Sequence, residues 1–274
     1  MGDISVREYI RWLPGEPSEP TSTIVLTTPN RLFVDLRILK PTARDGDSRT
    51  DDVNLPPSRL DWAIAGTSSS TAIISPQDSE NPGQQKLVRH GRWAHWIDSR
   101  TAKCDGVVDE GDVFDNPPDP GLEVERGRMV NPATGLEADY EEGWRSVPIE
   151  GVPSPADAGG GSGGGEEAAV SCLALRMEGA EEGDGPGGTG PAGGIKRGLL
   201  VRLGQYCQAF ARDGDRITVE RLKWDPGQKR WVTQVRIGDQ ALPTEVATYF
   251  AHGTTLGDEV KVSGGAIWKV VERW

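Results

Sequence analysis

Long helical periodicity is missing from this chain of 274 residues, which leaves no extended helix to build from. No apolar run approaches the ~20 residues of a membrane span, and charged Arg7 and Glu8 stand where a signal peptide needs an apolar core. A soluble intracellular protein with no membrane insertion is therefore expected. Val6 occupies the position where a myristoylation signal wants Ser or Thr. Cysteine is scarce: Cys104, Cys172 and Cys207 show no paired spacing, and an odd number fits a reducing compartment, so all three read as thiols. Histidine is as rare, and no Cys/His cluster has zinc spacing. No Ser lies in a nucleophile elbow and no acidic pair is set by helical spacing. Neither catalytic residues nor a metal nor a cofactor is expected.

Positive charge is also short. The net charge is −12, and it sits almost entirely in residues 1–165, near −11, against about −1 for 166–274. An acidic surface repels nucleic acid and anionic membranes and suits a basic protein partner. From Ile195 onward basic residues outnumber acidic ones, which allows a local positive face.

What the chain does have is Trp, Gly and Pro: 9, 36 and 20 of them, a composition of short strands and many turns. The run Gly159-Gly160-Gly161-Ser162-Gly163-Gly164-Gly165 can neither bury apolar surface nor hold one conformation, and reads as a joint of roughly 15 Å span. It divides the chain into a unit at 1–150, a linker at 151–169 and a second unit at 170–274, the last with a Gly-rich insert at 183–194 read as a disordered loop.

Strands are expected at Thr23 to Thr28 and Leu32 to Ile38, a hairpin with Leu32, Val34, Leu36 and Ile38 on one face and Asp35 and Arg37 on a wet face. Leu60 to Thr67 follows, with Leu60, Trp62 and Ile64 or their alternates buried and a turn over Thr67 to Ser70. Further strands are read at Arg92 to Asp98, Leu122 to Val130 and Asp139 to Trp144. The second unit offers Val170 to Met177, Gly198 to Gly204, Gln205 to Arg212, Arg216 to Trp224, Arg230 to Ile237, and Glu259 to Val262 paired with Ala266 to Glu272. Their turns, such as Asp213-Gly214-Asp215, carry hairpin chemistry, and the regular spacing points to antiparallel barrels or sandwiches.

Four stretches carry a resemblance: Leu60-Asp61-Trp62-Ala63-Ile64-Ala65-Gly66-Thr67, Trp96-Ile97-Asp98, Gly198 to Gly204 with Gln208-Ala209-Phe210, and Val262 to Glu272. In this order they resemble the fungal Hri-type family, named for a yeast protein that associates with a casein kinase I. The resemblance implies an all-β protein of two antiparallel lipocalin-like β-barrel domains on a flexible Gly-rich linker. It also implies a non-enzymatic adaptor of the cytoplasm, and also of the nucleus, that contacts a casein kinase I, as substrate or accessory factor, and the Sec translocation machinery.

Individual features admit plainer readings. His95 has Asp98 three residues on, but strand alternation puts His95 with Trp93 and Ile97 and turns Asp98 away, so a barrel-lining or surface histidine is favoured over a base or ligand. The acidic tract Asp105 to Pro120 lacks the features of a calcium loop and reads as a solvated loop. Gly183-Asp184-Gly185-Pro186-Gly187-Gly188 fits a dinucleotide pattern only as low complexity. Arg216, Arg221, Lys223, Lys229, Arg230 and Arg236, interleaved with Trp224 and Trp231, read as a solvated outer face. Ser22 and Ser48, each three residues after a carboxylate, are candidate phosphosites, with that basic face as the phosphate's receiver. The alternative function is a small hydrophobic ligand in a barrel lined by Trp62, Trp93, His95, Trp96 or Trp268.

Overall fold

In the computed structural model, residues 2–41, 53–74, 87–153, 171–179 and 195–274 are described. The glycine run, the insert at 183–194 and Ser48 lie outside them, as does nearly all of the expected linker. Eight antiparallel strands close a barrel in sequence order: β1 (Asp3–Trp12), β2 (Thr21–Thr27), β3 (Leu32–Leu39), β4 (Leu60–Ile74), β5 (Leu87–Asp98), β6 (Val108–Asp115), β7 (Leu122–Val130) and β8 (Glu137–Ser146), with β8 pairing back onto β1. Seven more form a second antiparallel sheet: β9 (Cys172–Glu178), β10 (Lys196–Leu203), β11 (Tyr206–Asp213), β12 (Arg216–Asp225), β13 (Arg230–Ile237), β14 (Glu259–Lys261) and β15 (Ile267–Arg273), in the order β13-β12-β11-β10-β9-β15-β14. One short helix, α1 (Thr244–Tyr249), lies between β13 and β14. The all-β antiparallel architecture expected from the sequence is the observed one, but where two barrels were expected the second unit is an open sheet, since β13 and β14 at its edges do not pair with each other. No helix among the described residues is long and apolar enough to cross a membrane.

The second sheet lies across the outside of the barrel, β10 over β2 and β3 and β11 over β3 and β4. Alternation explains how. Val34, Leu36 and Ile38 point outward from β3 and meet Leu199, Val201, Phe210 and Val219 in one continuous apolar core. The far face of the second sheet buries Leu200, Ala209, Leu222, Trp231 and Trp268 beneath Ala247 of α1 and Ala251 just after it.

Several expectations change. The wet face of the β2–β3 hairpin is the barrel lumen, where Asp35 and Arg37 are buried, because a barrel wall covered on its outside hides both faces of a strand. Thr67 to Ser70 is no turn but the middle of β4, whose serines point at the lumen mouth and need no apolar partner. The acidic tract holds β6: Val113 is buried, Glu110 pairs with Arg92 at 2.6 Å, and Asp112 meets His90 at 2.8 Å, so cross-strand partners offset the charge. β1 and α1 went unread. Arg221 is no part of a solvated face; it is 2% exposed, on the side of β12 that meets the barrel.

Candidate functional site

The lumen holds a cavity of about 470 Å³. Side chains alternate into it from all eight strands, among them Phe33 and Asp35 of β3, Trp62 of β4, Trp93 of β5, Asp109 of β6, Glu125 of β7, and Tyr140, Glu142 and Trp144 of β8. A second cavity of about 420 Å³ opens toward the Trp12 and Asn131 to Ala133 end, and Arg37, Trp62, Asp109 and Met129 border both.

The lumen floor is a buried ionic network. Glu142 accepts from Arg7 and from Arg37 Nη1, the latter at 3.3 Å, while Arg37 Nε donates to Asp35 Oδ2 at 2.9 Å and Arg7 Nε to Glu19 Oε2 at 2.8 Å. Burial alone would lower the Arg37 guanidinium, but Asp35 and then Glu142 outweigh it and hold its pKa above the usual value. Asp35 moves the other way: burial raises its carboxyl, and Arg37 recovers only part of that. Glu125 is pushed up to about 8 by burial and then by the neighbouring Glu142 charge, against a 2.7 Å hydrogen bond from the Tyr140 hydroxyl. A carboxyl in this position is largely protonated at neutral pH.

His95 stands beside the lumen with its side chain 1% exposed. Nδ1 lies 3.0 Å from Asp98 Oδ2 and Nε2 lies 3.0 Å from Asp109 Oδ2, while Trp62 Nε1 donates to Asp98 Oδ1 at 2.9 Å. The alternation argument that kept His95 and Asp98 apart fails at a bulge. Ala65 pairs with Ile97 but Gly66 pairs with His95, so Trp96 is an extra residue and the parity of Ile97 and Asp98 flips. Gly66 makes room, since a Cβ there would sit 2.0 Å from the Ala94 carbonyl oxygen. Burial pulls the imidazole down, but the hydrogen bonds to Asp109 and then Asp98 outweigh it and hold the pKa at about 9. His95 is thus an imidazolium clamped by two carboxylates at neutral pH, and carries no lone pair with which to act as a base.

The sign of this shift gives a pH prediction. A folded-state pKa above the ordinary 6.5 contributes stability that is full below pH 6.5 and disappears as pH rises through about 9. In thermal melts from pH 6 to 10 the His95 share of the loss in the native chain is expected to be about 2–3 kcal/mol, on top of that from Glu125. His95→Gln flattens this part of the profile, and equal slopes for both chains would refute the assignment.

Of the residues named from sequence, Trp62 and Trp93 line the cavity, and His95 sits behind them. Trp96 faces away from the lumen into the contact between barrel and sheet, with Arg176 3.9 Å from its ring. Trp268 is fully buried in the far core of the second sheet, so it and Trp96 leave the candidate set. Ser22 lies within β2, paired to β1 and β3, and its Oγ and carbonyl accept from Arg221 at 3.0 and 3.2 Å. Ser22 is exposed, and its hydroxyl is the group held by Arg221. The basic receiver loses Arg221 to this buried contact. The three cysteines are buried thiols; burial pushes Cys172 up to about 12 and Cys104 and Cys207 upward as well. Sequence reading missed Asp35, Arg37, Glu125, Tyr140, Glu142 and Trp144 as lumen residues. Their signal was present as polar residues recurring every second position in β3, β7 and β8. Among the described residues no group of three or more His, Cys, Asp or Glu side chains is placed to hold a metal ion.

A closed eight-stranded barrel with a charged, hollow interior and a second sheet fastened to its wall is a two-part β-barrel protein. The family model described as Protein HRI1 matches residues 3–272, so the chain belongs to that family. The crystal structure of the uncharacterized protein YLR301w from Saccharomyces cerevisiae shares the fold, with a TM-score of 0.59 at 17% identity over 100% of this chain and 99% of the yeast chain. No curated protein matches.

Proposed function

We propose that the barrel is a non-catalytic binding protein for a small polar molecule held in its lumen. The observation that carries this is the cavity of about 470 Å³, within the usual size of a small-molecule site, walled by aromatic rings and fixed polar groups. A purely hydrophobic ligand fits poorly, since it would strip Asp35 and Glu142 of whatever polar contacts the lumen offers. The groups that could move protons are engaged: His95 by two carboxylates, Glu142 by two arginines, Glu125 by the Tyr140 hydroxyl. Native mass spectrometry of the full-length chain, after exposure to a small-molecule extract of its source cells, should show a one-to-one adduct with a change in Trp fluorescence. An unchanged mass together with unchanged fluorescence removes this reading.

An adaptor role beside ligand binding is favoured by Tyr249, Phe250 and Leu256, which α1 and the residues after it leave exposed. A casein kinase I and a Sec subunit are the partners the family resemblance offers for such a surface. If the chain neither binds a casein kinase I at low salt nor gains phosphate in 1–60, the kinase is removed from this reading.

A further inference from the structure

We infer that the lumen takes an organic cation, a protonated amine whose ammonium group meets the unpartnered carboxylate oxygen of Asp35 while the rest of the molecule lies among the lumenal tryptophans. This rests on the ligand-binding reading above and narrows it to one charge class.

Asp35 is 4% exposed and lines the cavity. Its Oδ2 accepts from Arg37, while Oδ1 is buried with no hydrogen-bond partner. A buried carboxylate oxygen without a donor is costly, and a ligand N–H removes that cost. The charge around it selects the same class. With Glu125 protonated, five carboxylates line this cavity against three guanidinium groups; Arg37 and Arg89 are already paired with Asp35, Glu142 and Glu123, and the His95 imidazolium behind the wall is taken up by Asp98 and Asp109. An anion entering here meets net repulsion; a cation meets attraction in a region of low dielectric.

Glu125 shows the same imbalance from inside. It faces Tyr140 and Glu142 of β8, Arg37 of β3 and Asp109 of β6, and its carboxyl stays high first through burial and then through the Glu142 charge, which the Tyr140 hydrogen bond and Arg37 do not cancel. The apolar wall is also suited to a cation, since the faces of Trp62, Trp93 and Trp144 attract positive charge through their ring quadrupoles. Trp144 Nε1 is a buried donor with no acceptor in the same cavity, which favours an amine that also carries an oxygen acceptor.

The test uses three probes of one shape on the full-length chain at pH 7: 2-phenylethylammonium, 2-phenylethanol and phenylacetate, followed by calorimetry and Trp fluorescence. The ammonium is expected to bind at least about tenfold more tightly than the alcohol, and phenylacetate most weakly. Asp35→Asn should weaken the ammonium by about tenfold and so remove most of its margin over the alcohol. The wild-type ranking decides the matter even where that variant fails to fold. Equal affinity for alcohol and ammonium, or tightest binding of phenylacetate, overturns the cation while leaving the ligand-binding reading intact. Binding of none of the three also overturns it, and the ligand-binding reading then stands or falls on the cell-extract experiment alone.

Discussion

Replacing Gln208 by Leu is expected to destabilise the protein by about 3–5 kcal/mol, because that one amide joins the two sheets through groups that water cannot reach. Gln208 and Arg221 are cross-strand partners on β11 and β12, on the face toward the barrel. Gln208 Nε2 donates to the carbonyls of Ile24 and Val34, both at 3.0 Å, and its Oε1 accepts from Arg221 Nε at 2.7 Å. Arg221 Nη2 then reaches the carbonyls of Leu36 at 2.7 Å and Ser22 at 3.2 Å. No carboxylate accepts a hydrogen bond from this guanidinium among the described residues, and burial pulls its pKa down to about 10. Leucine at 208 leaves a buried cation with one acceptor fewer. Arg221→Leu removes the charge itself and should cost less, about 2–3 kcal/mol, chiefly from the unpaired Gln208 oxygen. The double variant should therefore lose less than the sum of the singles, which urea titrations in a double-mutant cycle would show. A Gln208→Leu chain within about 0.5 kcal/mol of native would mean that the polar clamp adds nothing to the apolar contact.

Removing Glu142 should be about as damaging, by a different route. Its carboxylate is 2% exposed and is shared by Arg7 and Arg37, both nearly buried. Glu142→Ala leaves two guanidinium groups in the lumen with only Glu19 and Asp35 to balance them, at an expected loss of about 3–5 kcal/mol. Glu142→Gln keeps an acceptor oxygen and the shape, so it should fall between alanine and native. It also takes away the charge that repels a Glu125 carboxylate, so the Glu125 pKa should drop from about 8. Denaturant unfolding gives the first result, and titration of the Glu125 carboxyl by NMR gives the second. An alanine variant that loses less than about 1 kcal/mol would show that the network is already well solvated through the cavity.

The sequence by itself determined a great deal of the fold. Alternation of apolar and polar residues with Gly-rich turns placed β2, β3, β5, β7, β8 and every strand of the second sheet, since strand period and turn chemistry are local properties. The free thiols and the family followed from residues alone. Other features depend on what lies on each side of a strand. Asp35 and Arg37 look the same in sequence whether their face meets solvent or a lumen, and only closure of β8 onto β1 makes it a lumen. Arg221 reads as a surface charge until the second sheet lies against β2 and β3, where its hydrogen bonds to barrel carbonyls become possible. The clamp on His95 depends on one extra residue in β5, and a bulge is an agreement between two strands that neither encodes alone. The charge of the interior, and with it the kind of molecule the barrel would hold, was thus fixed by tertiary structure, because a polar side chain becomes a site only when closure removes its water and supplies its neighbours.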